Sequence, residues 1–154
     1  MYKLTAYQTT KMKLVIQLVS QAQVHGESKA NAIKHGAVIY VGFCKQDTPE
    51  TITQAVNWLK SARIFPDNNS KINLTISQVG GTILVIPNFT LCAAYSQRRP
   101  SFSQAALPQK AQDLFKRFIT TLKNNGIPAE SGFFREMMKI TQTLVGPYTY
   151  VVDF

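Results

Sequence analysis

Side chains that usually carry catalysis are scarce in this sequence. Its 154 residues include two cysteines, two histidines and eight carboxylates. Cys44 and Cys92 are too few for a disulfide framework or a four-ligand zinc site. Both lie in or beside apolar stretches, which predicts two buried, reduced thiols in a cytosolic protein. His25 and His35 occupy unrelated contexts with no one-turn helical spacing, so they read as surface histidines rather than a base or ligands. The carboxylates are scattered, with no close pair for acid–base work. No GxSxG elbow, P-loop or GxGxxG sequence occurs. No metal and no cofactor is expected. No apolar run approaches the roughly 18 residues of a membrane-spanning helix; the longest, such as Thr82 to Pro87, are strand-sized. No membrane partner and a cytoplasmic location are the expectation. Residues 1–11 lack the apolar h-region of a signal peptide and read as a frayed N-terminal extension.

What is present is an apolar fraction of 45%, enough for a real core, and a formal net charge of +9. That charge favours a polyanionic partner or an acidic surface, although solubility alone accounts for it equally well. The basic residues are spread along the chain. A denser stretch holds Arg98, Arg99, Lys110, Lys116, Arg117 and Lys123 against a lone Asp113.

The apolar pattern predicts a strand over Lys13 to Val24 and a central strand, buried on both faces, over Gly36 to Cys44. Asp47-Thr48-Pro49-Glu50 opens a helix with a cap, a first-turn proline and an acid. Ile52, Ala55, Val56 and Leu59 define its buried face, with Trp58 near the edge. Pro66 to Asn69 is a turn, and Ile72, Leu74 and Ile76 alternate as in a half-buried strand. Gly80-Gly81 turns into a strand over Thr82 to Phe89. Ala93 to Leu107 reads as a structured loop. Pro108 opens a second helix, with a wide stripe of Ala111, Leu114, Phe115, Phe118, Ile119 and Leu122, stopped at Asn125-Gly126. Phe133 to Phe154 reads as strand, turn at Gly146-Pro147, strand. Two helices among five or more strands, without strict βαβ alternation, predict one compact α+β domain.

Two segments are harder to explain by folding alone. Proline cannot donate to a ladder, so normal pairing stops at Pro87. The N–H groups of Asn88, Phe89 and Thr90 are then expected to be free to face a ligand. Gly146-Pro147 is either a simple turn or a rigid presentation of two carbonyls, and its cis or trans state stays open.

Those segments, with others in order, resemble the D-aminoacyl-tRNA deacylase family. Leu14-Val15-Ile16-Gln17 looks like its opening strand, and Ala62-Arg63-Ile64-Phe65 with Lys71-Ile72-Asn73-Leu74 like its central motif. Gly80 to Val85 leads into Phe89-Thr90-Leu91, and Arg99-Pro100-Ser101-Phe102 follows. Gly132, Phe134 and Met138 match the penultimate motif, Gly146-Pro147 the last. The resemblance runs from about Met12 to Phe154, which makes residues 12–154 the deacylase-like domain and residues 1–11 an extension.

The resemblance implies a barrel-like α+β fold and a homodimeric ester hydrolase that splits mischarged aminoacyl-tRNA, in translation proofreading. Its active site lies at the dimer interface. The Gly146 and Pro147 carbonyls of one subunit would fence the site of the other, and N–H groups near Asn88, Phe89 and Thr90 would hold the oxyanion. The tRNA 2′-OH would help place the water. Pro87, Phe134, Met138, Tyr148 and Thr149 would shape the substrate site, and Arg98 and Arg99 would contact tRNA.

Some positions depart from the main branch. Pro87-Asn88 stands where that branch has Ser-Gln, Leu18 where it has Arg, and Leu144-Val145 where an Asn is usual. Pro87-Asn88 and Gly146-Pro147-Tyr148-Thr149-Tyr150 lean towards the animal branch, which resembles an L-alanine-removing editor; Phe89 leans towards the main one. A deacylase acting on D-aminoacyl or glycyl esters or on an L-alanyl ester, a nucleic-acid-binding homologue without turnover, and an unrelated basic α+β domain are therefore the readings.

Overall fold

The computed structural model describes residues 10–96 and 98–154. The expected extension thus lies almost wholly outside the described residues. Among the described residues, eight strands and two long helices form the fold: β1 (Lys13–His25), β2 (Ala30–Ile33), β3 (Gly36–Gly42), α1 (Pro49–Ser61), β4 (Phe65–Pro66), β5 (Ile72–Leu74), β6 (Thr82–Pro87), α2 (Pro108–Asn124), β7 (Ala129–Ser131) and β8 (Lys139–Asp153).

The spine is β1. Its thirteen residues are long enough to pair with β3 and β2 along one side and with β8 along the other, all antiparallel. β3 then pairs with β6, and β6 with β7, both in parallel. β3 is the central buried strand that its unbroken apolar run predicts. The mixed sheet curls enough for the Asn31 side-chain amide to donate to the Ser131 carbonyl at 2.7 Å, so the barrel-like α+β expectation stands.

Both helices cover one face. Helix α1 begins where its cap signals place it, with the Thr51 hydroxyl accepting the Thr48 N–H at 3.0 Å. Ile52, Ala55, Val56 and Leu59 are its buried residues. From α2, Leu114, Phe115, Phe118 and Leu122 join them against Leu14, Ile16, Ile39, Val41, Ile83 and Val85. A second, smaller core on the opposite face holds Val19, Val24, Val38, Leu84 and Ile86.

Four expectations are corrected. The strand expected over Ile72 to Ile76 is three residues long and pairs only with β4 in a separate small sheet; Ile72 is exposed and Ile76 is buried in the following turn. The strand beginning at Thr82 stops at Pro87, and Phe89 opens a 3-10 turn (Phe89–Cys92) because proline ends the ladder there. Residues 133–138 are an irregular loop, and the short strand β7 precedes them unforeseen. The tail is not a hairpin. Gly146-Pro147 is a bulge inside one strand, because β1 supplies partners on both sides of it. Between the Gln17–Thr149 and Val19–Leu144 pairs, two steps along β1 face five along β8, leaving three extra residues in β8.

Candidate active site

The cleft grows from the end of β6. The Asn88 N–H donates to the Val41 carbonyl at 2.8 Å, the last main-chain bond before the strand ends. The chain then tightens into the 3-10 turn, capped by Asn88, whose side-chain oxygen accepts the Thr90 N–H. The turn is anchored beneath by Cys92, fully buried, whose thiol donates to the Phe43 carbonyl at 3.3 Å. Its sulfur lies 3.1 Å from that of Cys44. Both cysteines are buried, as expected, and no disulfide joins them. The Cys44 thiol is pushed above the ordinary range by its hydrogen bond to Cys92 and by burial, so it keeps its proton.

On top of this anchored turn, Phe89 is 62% exposed, with its ring edge-on to Phe102 at 5.0 Å. The facing wall is the 133–138 loop. The Phe133 N–H donates to the Met138 sulfur at 3.3 Å, and the Phe134 ring lies 6.1 Å from that of Phe115. Ala105, Ala106, Pro108 and Ala111 close the third side. The result is a cleft of about 560 Å3, within the range of small-ligand sites, and predominantly apolar.

Among the described residues that line it there is no serine, cysteine, histidine or lysine, and Arg135 and Glu136 are the ionisable ones. Of the three N–H groups expected to be free, Asn88 is in the ladder and Thr90 is held by the Asn88 side chain. The Phe89 N–H, in the first turn of its 3-10 segment, has no acceptor among the described residues.

Pro87, Asn88, Phe89, Phe134 and Met138 are thus brought together in one cleft. Thr90 is exposed beside it. Gly146, Pro147, Tyr148 and Thr149 are not in its lining; they stand on β8, in and just beyond the bulge. The Gly146-Pro147 peptide is cis, and both residues are exposed. Tyr148 packs on the main core, and Thr149 accepts a hydrogen bond from the Gln17 side chain at 3.3 Å. Arg98 and Arg99 are exposed in the loop bracketed by the mutual main-chain bonds of Ala94 and Ser101. Sequence reasoning missed Arg135, Glu136 and Met137, because residues 133–138 read as a strand; their mixture of charged and apolar residues without a period was the signal for a loop. No cluster of His, Cys, Asp and Glu suited to a metal exists among the described residues.

Residues 15–153 match the family described as D-Tyr-tRNA(Tyr) deacylase. A D-aminoacyl-tRNA deacylase of Solibacter usitatus is 40% identical over 144 residues, covering 92% of this chain and 95% of the relative. One of Thermotoga petrophila is 38% identical, covering 92% and 97%. Among solved structures, a c-Myc DNA unwinding element binding protein superposes with a TM-score of 0.85 at 23% identity, over 92% of this chain and 98% of that one. A probable eukaryotic D-amino acid tRNA deacylase gives 0.83 at 18%, over 94% and 100%. Those two likenesses concern the fold.

Proposed function

Because this chain belongs to the D-Tyr-tRNA(Tyr) deacylase family, we propose that it hydrolyses the ester of mischarged tRNA to free amino acid and tRNA, with D-aminoacyl and glycyl esters as substrates. The observation that carries this reading is an unpaired main-chain donor, the Phe89 N–H, at an apolar cleft without a side-chain nucleophile. An aminoacyl ester is labile enough that positioning and oxyanion donors supply the acceleration.

In this mechanism the ester carbonyl lies against the 3-10 turn, and water, placed by the neighbouring ribose 2′-OH, adds to it. The developing oxyanion is held by the Phe89 N–H. The Thr90 N–H joins once the Asn88 side chain turns away, since their 3.2 Å bond is long and exposed. Pro87, Phe134 and Met138 enclose the aminoacyl group. The tetrahedral intermediate collapses by expelling the ribose 3′-oxygen, which takes up the proton that the water gave up on adding, as the tRNA leaves.

The site is completed in a homodimer. Strand β8 pairs only with β1 among the described strands, and its bulge projects exposed Val145, Gly146 and Pro147 beside exposed Val151. An open edge and a projecting main-chain loop suit a second copy, whose cleft would receive the Gly146 and Pro147 carbonyls and exclude an L side chain. Tyr148 and Thr149 hold the bulge in place, and exposed Arg98 and Arg99 contact the tRNA backbone. The work is done in the cytoplasm, where tRNA is charged; no helix among the described residues is long and apolar enough to cross a membrane.

The test is hydrolysis of D-tyrosyl-, glycyl- and L-alanyl-tRNA by purified protein at micromolar concentration. Release of D-tyrosine and glycine is expected. Release of L-alanine alone would assign the chain to an alanyl editor. Tight tRNA binding with all three esters intact would leave a binding protein, a reading that the capture of the Thr90 N–H by Asn88 favours. Sedimentation as a monomer under assay conditions would remove the shared site.

A further inference from the structure

Arg135 is not explained by folding or by the ester chemistry. It adopts φ +61°, the left-handed region that a non-glycine residue seldom occupies. Such backbone conformations collect at functional sites, where an interaction offsets their cost. The bonds that hold this loop, from the Phe133 N–H to the Met138 sulfur and from the Glu27 N–H to the Glu136 carboxylate, do not involve the Arg135 side chain. The Arg135 side chain is exposed at the wall of the cleft and makes no ion pair or hydrogen bond among the described residues. Its neighbour Glu136 forms no ion pair with it; the Glu136 carboxylate accepts the Glu27 N–H at 3.1 Å. A planar guanidinium therefore stands without a hydrogen-bonded partner among the described residues, at the wall of a predominantly apolar cleft, in a chain of net charge +9. Guanidinium groups match phosphate oxygens in a two-pronged geometry.

We propose that Arg135 grips the phosphodiester next to the 3′-terminal nucleoside of the RNA and so sets how deep the ester enters the cleft. This rests on the deacylase reading for the identity of the RNA. The 3-10 turn and the 133–138 loop line the same cleft, so a terminal nucleoside whose ester reaches Phe89 can set its own phosphate against Arg135. Arg135 is a positioning residue; the reacting atoms do not touch it.

The test compares wild type, Arg135→Gly and Arg135→Lys. Glycine accepts φ +61° freely, so Arg135→Gly is expected to melt at the same temperature as wild type or higher, which keeps unfolding out of the result. The first measurement is binding of an uncharged hairpin RNA ending in single-stranded CCA, across a salt series. Arg135→Gly is expected to bind about ten-fold more weakly and to lower the salt slope by about 0.7, the value for one single-strand phosphate. Arg135→Lys should recover the slope but only part of the affinity, having no planar fork. The second measurement is hydrolysis of D-tyrosyl-adenosine, which lacks the phosphate. The preference for the RNA ester over this nucleoside ester should fall by the same factor of about ten in Arg135→Gly. Unaltered RNA affinity and slope in Arg135→Gly overturn the proposal. So does a loss confined to acidic aminoacyl esters, which would make Arg135 a reader of the amino acid. If the wild type hydrolyses neither ester, the deacylase reading fails while the binding measurement still decides the role of Arg135.

Discussion

The side-chain oxygen of Asn88 accepts both the N–H and the hydroxyl of Thr90. One amide thus caps the 3-10 turn and occupies a main-chain donor at the mouth of the cleft. An oxyanion must displace a neutral acceptor to use that donor. Asn88→Asp would put a charged acceptor in the same place, binding the N–H more strongly and repelling the developing charge. Single-turnover deacylation is expected to slow about 100-fold, the cost of losing one oxyanion donor, with circular dichroism unchanged. A rate within about three-fold of wild type would take the Thr90 N–H out of the reaction.

Gly146 sits at φ +116° in the bulge, and a Cβ there would lie 2.4 Å from the Tyr148 backbone nitrogen. Gly146→Ala therefore moves the bulge. The bulge is exposed while the β1–β8 ladder continues on both sides, so the fold should persist. Deacylation is expected to fall about 100-fold, as for a reacting group displaced by an ångström. Steady-state kinetics with the melting temperature as control would decide it; full activity would separate the bulge from the site.

Gly36 faces the parallel partner strand with no room to spare. A Cβ would lie 1.9 Å from the Thr82 carbonyl oxygen, a main-chain atom. Gly36→Ala must prise β3 from β6 at the start of their ladder and is expected to cost about 3 kcal/mol or more. Urea denaturation measures this, and a loss below about 1 kcal/mol would mean the two strands separate easily there.

Asp47 accepts the Met12 N–H at 3.0 Å and the Cys44 N–H while almost completely buried. Burial pushes its carboxyl above the ordinary range, against the opposing effect of those two bonds and of Lys110. The folded state therefore takes up this proton more readily than the unfolded chain. That contribution favours folding in acid and is lost as pH rises through the folded pKa. Asp47→Asn removes the titration. The stability margin of wild type over Asp47→Asn should widen as pH falls from neutral towards the ordinary carboxylate value of 3.8. Urea midpoints of both proteins across that range test the sign, and a margin that narrows in acid would reverse it.

Arg98 and Arg99 are exposed on a loop closed at its base by Ala94 and Ser101. Replacing both with alanine should weaken tRNA binding and reduce the salt slope by about 1.8, for two duplex phosphates. An unchanged slope would place the RNA on another face.

Helix α1 was legible because cap, proline and periodic apolar residues all act locally, and Ile52, Ala55, Val56 and Leu59 are all buried. Pro87 was legible as the end of a ladder for the same reason. The tail was not. A glycine-proline pair signals a reversal and a bulge alike, and the choice lies with β1, more than a hundred residues away. The contact of Cys44 with Cys92 has no local cue either, since 48 residues separate them. Arg135 was the least foreseeable, because nothing in an arginine codon position announces a left-handed backbone. The cleft was half visible: the end of β6 was found from sequence, and the wall facing it was taken for a strand.

The pairing of β1 with β8 joins Lys13 to Asp153, 140 positions apart. During synthesis, the spine strand emerges early and must wait, one side bare, until almost the whole domain has followed. Folding that depends on so distant a partner is slow in its late stage. A nascent chain lacking β8 would offer that bare edge to any extended polypeptide nearby, including another nascent copy on the same message.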